Sequence, residues 1–332
     1  MSDAPTKTDA GSPTHLDDVP DEQLSAVERY KRAAHRRKFG PPLTLDPAPE
    51  LREDTMWRGL ARDGQMRFLV VRCTNALREN CAKLKAGDEA ARLIGETLIS
   101  SLLLRSTLSP GERLQFIAHN NGPSGRIIGD IWSDDGMRAT VQNIEIPHGM
   151  SGLGEGHLEI SRTRAGKPPY RSSIPLQATI ADSVMHYLLN SEQIVSLLRV
   201  ELKREAGEII FAGGYLVQMM PEGKHEDLKR MVANIDQLPR LQVGMMPADA
   251  DGRAWAGQLM DGYLWDQVAR EKVLFACRCS HERVLTMLST LPRSDLEEII
   301  GDGEPVETTC EYCHTEYRIS PEQLKALLAE PS

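Results

Sequence analysis

The spacing of hydrophobic residues predicts two helices soon after residue 57. Between residues 76 and 104, hydrophobic side chains recur three and four positions apart, which places them on one side of a helix. Gly87 interrupts this spacing and separates two faces. The residues on these faces are Leu77, Cys81, Leu84, Leu93, Ile94, Leu98 and Leu102. We expect order to begin near Trp57, with one helix on each side of Gly87.

Beyond residue 110 the hydrophobic period changes from helical to two, which is typical of strands. The alternating runs are separated by Gly, Pro, Asn and Asp, and they are RLQFIA, GRIIGDIW, RATVQN, GHLEISR, YRSSIPLQ, EIIFAG and AGGYLVQMMP. One helix, TIADSVMHYLLNSEQ, interrupts them. Short strands joined by turns form antiparallel sheets, so the pattern predicts an α+β domain over residues 53–221 with a largely antiparallel sheet.

Two further segments flank this domain. Residues 1–52 contain seven of the twenty prolines and lack a sustained hydrophobic period, which predicts a disordered extension. In residues 222–272, hydrophobic residues recur at helical spacing around Leu228 and Met231, and ADADGRAWAGQLMDGYLWDQVAREK predicts a second helix. Six of the thirteen methionines lie between Met219 and Met260. We therefore expect a helical, Met-rich linker that packs on the preceding domain.

Composition and charge exclude several classes of protein. The net charge is −9, and the segment from Glu271 onward has twelve acidic residues against six Lys or Arg. A surface that binds nucleic acid is basic, so no nucleic-acid partner is expected. No hydrophobic run reaches the roughly 18 residues of a membrane span, and the first residues do not form a signal peptide. The sequence predicts a soluble, cytoplasmic protein without a membrane partner.

Four of the six cysteines form two close pairs near the end of the chain. Cys277 and Cys279 form a C-x-C motif, and Cys310 and Cys313 form a C-x-x-C motif. Four thiolates complete the tetrahedral shell that Zn²⁺ prefers, and they leave no open position for a substrate. We expect one Zn²⁺ per chain, bound by these four residues. The metal would stabilise residues 273–332 as a small zinc-binding domain.

The remaining candidate groups give no sign of catalysis. His281 and His314 are rival metal ligands, but four sulfurs already complete the shell. Cys73 and Cys81 lie on or beside a predicted hydrophobic helix face, where a cysteine is buried and inert. The other histidines lack ligand spacing, and no glycine-rich phosphate loop is present. We therefore expect a protein that is not an enzyme.

The residues leave two other functions open. A passive zinc-stapled interaction module would keep its zinc under mild oxidant. A thiol oxidoreductase would need an exposed cysteine of low pKa at the start of a helix, in a thioredoxin-like context that neither pair provides. A zinc-thiolate site is also sensitive to oxidants, because disulfide formation removes the thiolates. The site could therefore be a structural staple or a redox sensor.

The segment FACRCSHERVLTMLSTLPRSDLEEIIGDGEPVETTCEYCHTEYRIS resembles the C-terminal zinc module of redox-regulated heat-shock chaperones, the heat shock protein 33 family. The family's C-x-C-S-x-E-R motif is matched from Cys277 to Arg283, and its C-x-x-C motif by Cys310 and Cys313. NNGPSGRI, MHYLLNSEQIVSLLRV and AGGYLVQMMP are also similar to that family. The resemblance covers roughly residues 60–325.

This resemblance implies a bacterial cytoplasmic holdase that binds unfolding proteins without ATP. In such proteins the reduced, zinc-bound form is inactive. Oxidation would form the disulfides Cys277–Cys279 and Cys310–Cys313, release zinc, unfold the linker over 222–272 and expose a hydrophobic surface for clients. The resemblance also implies a homodimer in the oxidised form.

Overall fold

The computed structural model describes residues 53–132, 136–238 and 253–329. The predicted extension over 1–52 lies outside these residues. Within them the chain forms two large sheets, a small two-stranded sheet and eight helices. The α+β fold predicted from the change in hydrophobic period is confirmed.

The first large sheet contains five of the seven segments that sequence analysis identified as alternating. Its strands are β3 (Glu112–Asn120), β4 (Ile127–Ile131), β5 (Gly136–Val141), β6 (Gly156–Arg164), β7 (Tyr170–Pro175) and the two-residue β11 (Leu274–Phe275). Their order is β11-β5-β4-β3-β6-β7. All neighbours are antiparallel except β11, which runs parallel to β5. The sheet therefore ends on a short strand from the C-terminal part of the chain.

The second large sheet joins the beginning of the described chain to its middle. Its strands are β1 (Thr55–Ala61), β2 (Met66–Arg72), β8 (Ser196–Glu205), β9 (Glu208–Met219) and β10 (Trp265–Lys272), in the order β10-β1-β2-β9-β8. All pairs in this sheet are antiparallel. The segments EIIFAG and AGGYLVQMMP, predicted as two strands, are one continuous strand, β9.

A buried helix separates the two sheets. The helices α1 (Thr74–Leu84) and α2 (Asp88–Arg105) meet at the predicted break, where Gly87 precedes α2. Nearly all of α2 is buried, because it packs on strands of both sheets. Two glycines allow this close approach: a Cβ at Gly129 would lie 2.7 Å from Thr97 Cγ2, and one at Gly214 would lie 2.6 Å from Ile99 Cγ2. The main hydrophobic core forms around α2.

The outer face of the five-stranded sheet is covered by the linker. Helix α3 (Ile180–Asn190) lies between β7 and β8 in the chain. The linker then contributes two helices, α4 (His225–Gln237) and α5 (Arg253–Leu259). A second hydrophobic cluster contains both sheet and linker residues. Its buried members are Trp57, Ala61, Met66, Phe68, Val70, Phe211, Tyr215, Val217, Met231, Trp255, Ala256, Leu259 and Met260. Packing of the Met-rich linker on the preceding domain is therefore present in the structure.

The helix predicted over residues 248–272 is wrong in its last third. After α5 the chain forms strand β10, which pairs with β1 from Thr55↔Lys272 to Ala61↔Trp265. Charged residues that suit an exposed helix also suit an exposed edge strand, so the local pattern did not distinguish the two. The unpaired backbone groups along the edge of β1 decide the outcome, since β10 satisfies them.

The terminal segment forms a small module with its own core. It contains α6 (His281–Leu288), α7 (Arg293–Gly301), α8 (Pro321–Ala329) and the hairpin of β12 (Val306–Thr309) and β13 (Glu316–Ile319). Four buried residues form its centre: Leu288, Leu296, Ile319 and Leu324. A core of this size is small for an independent fold, so a metal site would contribute much of the stability.

Candidate metal centre

Two local structures position the four predicted cysteine ligands. Cys277 and Cys279 lie between β11 and α6, where the Ser280 hydroxyl caps α6 by accepting the backbone N–H of Arg283 at 3.2 Å. The C-x-C motif is therefore held between a strand on the large sheet and the start of a helix.

Cys310 and Cys313 lie in the turn between β12 and β13. The backbone N–H of Cys310 donates to the Thr315 carbonyl at 3.0 Å, and the N–H of His314 donates to the Cys310 carbonyl at 2.9 Å. His314 has a φ of 52°, so the chain turns sharply through the left-handed region directly after the C-x-x-C motif. This turn directs both sulfurs to the same side.

The structure brings the four sulfurs into one cluster. All four Sγ atoms lie within 4.8 Å of one another, and they are the one such group of metal-ligating side chains within residues 53–132, 136–238 and 253–329. The Cys277 and Cys279 sulfurs are 3.5 Å apart, Cys277 and Cys310 are 3.6 Å apart, and Cys279 and Cys313 are 3.3 Å apart. A tetrahedral site with metal–sulfur bonds of about 2.3 Å has sulfur–sulfur edges of about 3.8 Å. The cluster is therefore close to the size that a metal ion requires.

The surroundings affect the thiols of Cys279, Cys310 and Cys313 unequally. Burial raises the pKa of Cys310 to about 12, and it also raises the pKa of Cys279. Burial opposes ionisation of Cys313 as well, but hydrogen bonds from the hydroxyl and backbone of Thr315 outweigh it and lower its pKa to about 7. Among Cys279, Cys310 and Cys313, Cys313 is thus the thiol that ionises first. A cation would be needed to hold all four as thiolates.

The other candidate residues lie outside the cluster. Cys73 and Cys81 are buried beside α1 and in it, where burial raises the pKa of Cys73 well above its usual range and that of Cys81 to about 12. The Nε2 of His281 lies 2.8 Å from Gln323 Nε2, so this ring is engaged within the module. The structure agrees with the sequence analysis in separating these residues from the four clustered cysteines.

Three residues that sequence analysis did not identify contact the sulfurs. Thr315 lies 3.2 Å from Cys313 Sγ, and Tyr317 is hydrogen-bonded to Cys279. Arg138, from strand β5, donates from Nη1 to Cys277 Sγ at 3.3 Å. Thr315 and Tyr317 follow the C-x-x-C motif closely, so their proximity could have been inferred from sequence. No local signal connects Arg138 to a cysteine 139 positions away.

A family model described as "Hsp33 protein" matches residues 54–320. The chain belongs to the Hsp33 family. A "33 kDa chaperonin" of Thermus thermophilus is 31% identical over 299 residues, which are 82% of this chain and 86% of that protein. One from Nostoc punctiforme is 31% identical over 294 residues, or 83% of this chain and 96% of that protein. The resemblance noted from the cysteine motifs is confirmed.

A solved structure agrees with this assignment. The crystal structure of the 33 kDa chaperonin (heat shock protein 33 homolog) of Thermotoga maritima matches with a TM-score of 0.74 and 25% identity, covering 84% of this chain and 98% of that one. Membership of the Hsp33 family supports a chaperone function and implies that the protein binds unfolded proteins. Among the described helices, none has the length and hydropathy that crossing a membrane requires.

Proposed function

We propose that this Hsp33-family protein is an ATP-independent holdase whose client-binding surface is uncovered by oxidation. The observation that carries the proposal is the placement of the four-sulfur cluster. Cys277 is two residues from Phe275 at the end of β11, and β11 continues through Val273 from β10 of the linker. The cluster is thus connected to the linker by one short length of chain.

In the reduced protein, Cys277, Cys279, Cys310 and Cys313 would hold one Zn²⁺. Four sulfur donors at these separations suit a soft-ligand, tetrahedral site. The bound ion would supply the charge that keeps the thiols ionised and would cross-link two parts of a module with a small core. The protein needs no open coordination position for this role, and we propose no catalytic turnover.

Oxidation would act on the cysteine side chains directly. With hydrogen peroxide, two thiolates lose two electrons and form one disulfide, while the peroxide takes two protons from solvent and leaves as two water molecules. We propose the pairs Cys277–Cys279 and Cys310–Cys313, as the family resemblance implies. The Cys277 and Cys279 sulfurs are 3.5 Å apart and must approach to about 2.05 Å. Once both bonds have formed, no thiolate remains to hold the ion.

The strand β11 would transmit this change to the linker. It pairs with β5 over two residues only, Leu274↔Gly136 and Phe275↔Met137. The backbone N–H of Val273, directly before it, donates to the Asp54 carbonyl at 3.1 Å, and its side chain lies in the main core. When the module loses its zinc, these few contacts are what remains to hold the chain directly after β10, and the β1–β10 ladder then ends on an unsupported residue, Lys272. The linker would then separate from β1.

Helix α4 of the linker buries little, which favours its release. Met231 is the one buried residue of α4 in the described part of the chain. The indole N–H groups of Trp57 and Trp255 are buried and have no hydrogen-bond partner among the described residues. Each such group costs about 1–3 kcal/mol. Once the linker leaves, the hydrophobic face containing Trp57, Phe68 and Tyr215 is free to bind unfolded clients.

Two further features complete the proposal. The oxidised protein would act as a homodimer, and it would act in the cytoplasm, where thiols are reduced until stress oxidises them. Both follow from the family resemblance. No nucleic acid or membrane takes part.

The test is to treat the reduced protein with hydrogen peroxide under mildly unfolding conditions. Zinc release is followed with a colorimetric chelator, and light scattering follows the aggregation of a heat-unfolded client without ATP. We expect one zinc released per chain and suppression of aggregation to rise together. A protein that keeps its zinc and remains inactive would instead be a passive interaction module in which zinc has only a structural role.

A further inference from the structure

Arg138 of β5 lies where the six-stranded sheet meets the terminal module. Its side chain is 12% exposed, and Nη2 pairs with Asp130 Oδ2 at 3.0 Å. The guanidinium carbon lies 4.8 Å from the ring centroid of Trp132 and 3.7 Å from that of Tyr312. Tyr312 stands between Cys310 and Cys313 in the C-x-x-C motif. Arg138 therefore contacts the core on one side and the sulfur-bearing turn on the other.

The same guanidinium reaches the C-x-C motif. Its Nη1 donates to Cys277 Sγ at 3.3 Å, so one side chain contacts both cysteine motifs. Arg278, the residue between Cys277 and Cys279, lies 4.6 Å from the ring centroid of Trp132. Directly before the motif, the backbone N–H of Ala276 donates to the Met137 carbonyl of β5 at 3.0 Å. These contacts surround the first cysteine and join it to the sheet.

We propose that Arg138 is a positioning residue that holds the terminal module on the sheet only while Cys277 is reduced and not part of a disulfide. This inference deepens the proposed function and rests on it. Arg138 would donate a charge-assisted hydrogen bond to the Cys277 sulfur and would release the motif when that sulfur becomes part of a disulfide. Arg138 thereby senses the oxidation state of the site from outside it.

The reason is the charge on the acceptor. Hydrogen bonds to an ionised acceptor are about twice as strong as those between neutral groups. When peroxide oxidises Cys277 and Cys279, their sulfurs join, two electrons pass to the peroxide, and two solvent protons complete two water molecules. The sulfur that faces Arg138 then has no negative charge, so the charge-assisted hydrogen bond is lost.

The contacts of Asp130 fix the position of Arg138 beside the cysteine cluster. Asp130 is fully buried, and Arg113 binds both of its oxygens, Nε to Oδ1 at 2.6 Å and Nη2 to Oδ2 at 2.7 Å. Arg113 can therefore neutralise most of the buried charge, while Asp130 orients Arg138 towards the cluster. Arg113 is the control, because it also binds Asp130 and its guanidinium carbon lies 5.6 Å from the ring centroid of Trp132.

The experiment compares R138Q and R113Q with the wild type as full-length, reduced, zinc-loaded protein. Zinc affinity is measured by competition with a chelator, and hydrogen exchange reports the Ala276 amide. Removing a residue that hydrogen-bonds a metal ligand typically costs 10–100-fold in metal affinity. We expect R138Q to lose about tenfold in zinc affinity and to exchange Ala276 about tenfold faster. R113Q disturbs Asp130 without removing a contact to a cysteine sulfur, so it should change both quantities less than R138Q does.

Tyr312→Leu keeps the test valid if R138Q folds poorly. This variant removes the Tyr312 ring that contacts Arg138 from the terminal module, and it leaves the Arg138–Asp130 pair intact. It should also accelerate hydrogen exchange at the Ala276 amide. If R138Q and Y312L both match the wild type in zinc affinity and exchange, the inference is wrong.

Oxidised samples separate this inference from the proposed function. After peroxide treatment, wild type and R138Q should exchange Ala276 at the same rate, because the contact is already lost. An effect of R138Q that persists in the oxidised protein would overturn the inference. A wild type that keeps its zinc and stays inactive under peroxide would defeat the proposed function, whereas the measurements on reduced protein would still decide whether Arg138 fixes the module.

Discussion

The ring of Trp255 in α5 lies against the ring of Tyr215 in β9, with centroids 4.9 Å apart and planes tilted by 40°. Tyr215 belongs to the five-stranded sheet, and Trp255 belongs to the linker that covers it. Trp255 is 2% exposed. Met231, Ala256, Leu259 and Met260 are the other buried linker residues of the same cluster, so the aromatic pair is the largest single contact in a shared hydrophobic attachment.

Replacing Trp255 by alanine should detach the linker without oxidation. Truncating a buried Trp to Ala typically costs about 3–5 kcal/mol, and the loss here falls on the packing between linker and sheet. We expect reduced W255A to bind a hydrophobic dye and to suppress client aggregation, while retaining one zinc per chain. Both are measured in excess reductant.

Leu264→Ala is the control for this change, because Leu264 lies in the same linker and is 73% exposed. It should leave dye binding and aggregation unchanged. W255A lacks the ring contact to Tyr215. If this variant nevertheless binds no dye and does not suppress aggregation, the face beneath the linker is not the client-binding surface.

Truncation separates the contributions of the module and the linker. A chain ending at residue 221 lacks α4, α5 and β10, so it should suppress aggregation even when fully reduced. A chain ending at residue 272 retains β10 on β1 but lacks β11, and we expect intermediate activity. Light scattering of a thermally unfolding client measures both.

The comparison for the truncations is oxidised full-length protein. If that protein is active and both truncated chains are inactive, uncovering the sheet is not the mechanism. The oxidised module itself would then have to bind clients.

The metal stoichiometry should depend on the four clustered cysteines alone. C73A/C81A removes the two buried cysteines of the core, and we expect it to retain one zinc per chain. C310A removes one sulfur of the cluster and should lower the zinc content to near zero after dialysis. Metal analysis of the purified, reduced proteins decides this, and loss of zinc from C73A/C81A would contradict the assigned ligands.

Stability should fall as the pH rises from about 4 to about 6 because of Asp54. Burial raises its pKa to about 6, despite the hydrogen bond that it accepts from the Ala76 N–H at 2.7 Å and the nearby Arg72. In this range the unfolded chain has released the proton while the folded protein retains it, so raising the pH favours unfolding. A shift of about two pKa units corresponds to roughly 3 kcal/mol.

Asp54→Asn should remove this dependence. The free energy of unfolding of D54N minus that of the wild type should rise by about 2–3 kcal/mol between pH 4 and pH 7. Urea unfolding across this range measures the difference, in which the pH dependence of the metal site cancels. A difference that stays flat with pH would show that Asp54 is ionised in the folded protein throughout.

The local spacing of hydrophobic residues was sufficient to predict much of the fold. The change from helical to alternating period identified α1, α2, α3 and most strands of the six-stranded sheet, because each of these buries one side or is buried entirely. Gly87 marked the helix break for the same local reason. By contrast, β10 was taken for a helix, since the exposed residues Asp266, Gln267 and Arg270 suit either conformation.

The sequence by itself determined the chemistry of the terminal module. Two cysteine pairs with short spacings suit a metal whatever the rest of the chain does, and the structure places all four sulfurs within 4.8 Å of one another. Only the tertiary structure decided what that cluster is attached to. Arg138, Trp132 and β5 meet the module through contacts between residues more than 130 positions apart, such as Arg138 and Cys277. Such pairs follow from the packing of the sheet and leave no periodic trace in the sequence, because periodicity records which side of an element is buried but not which element buries it.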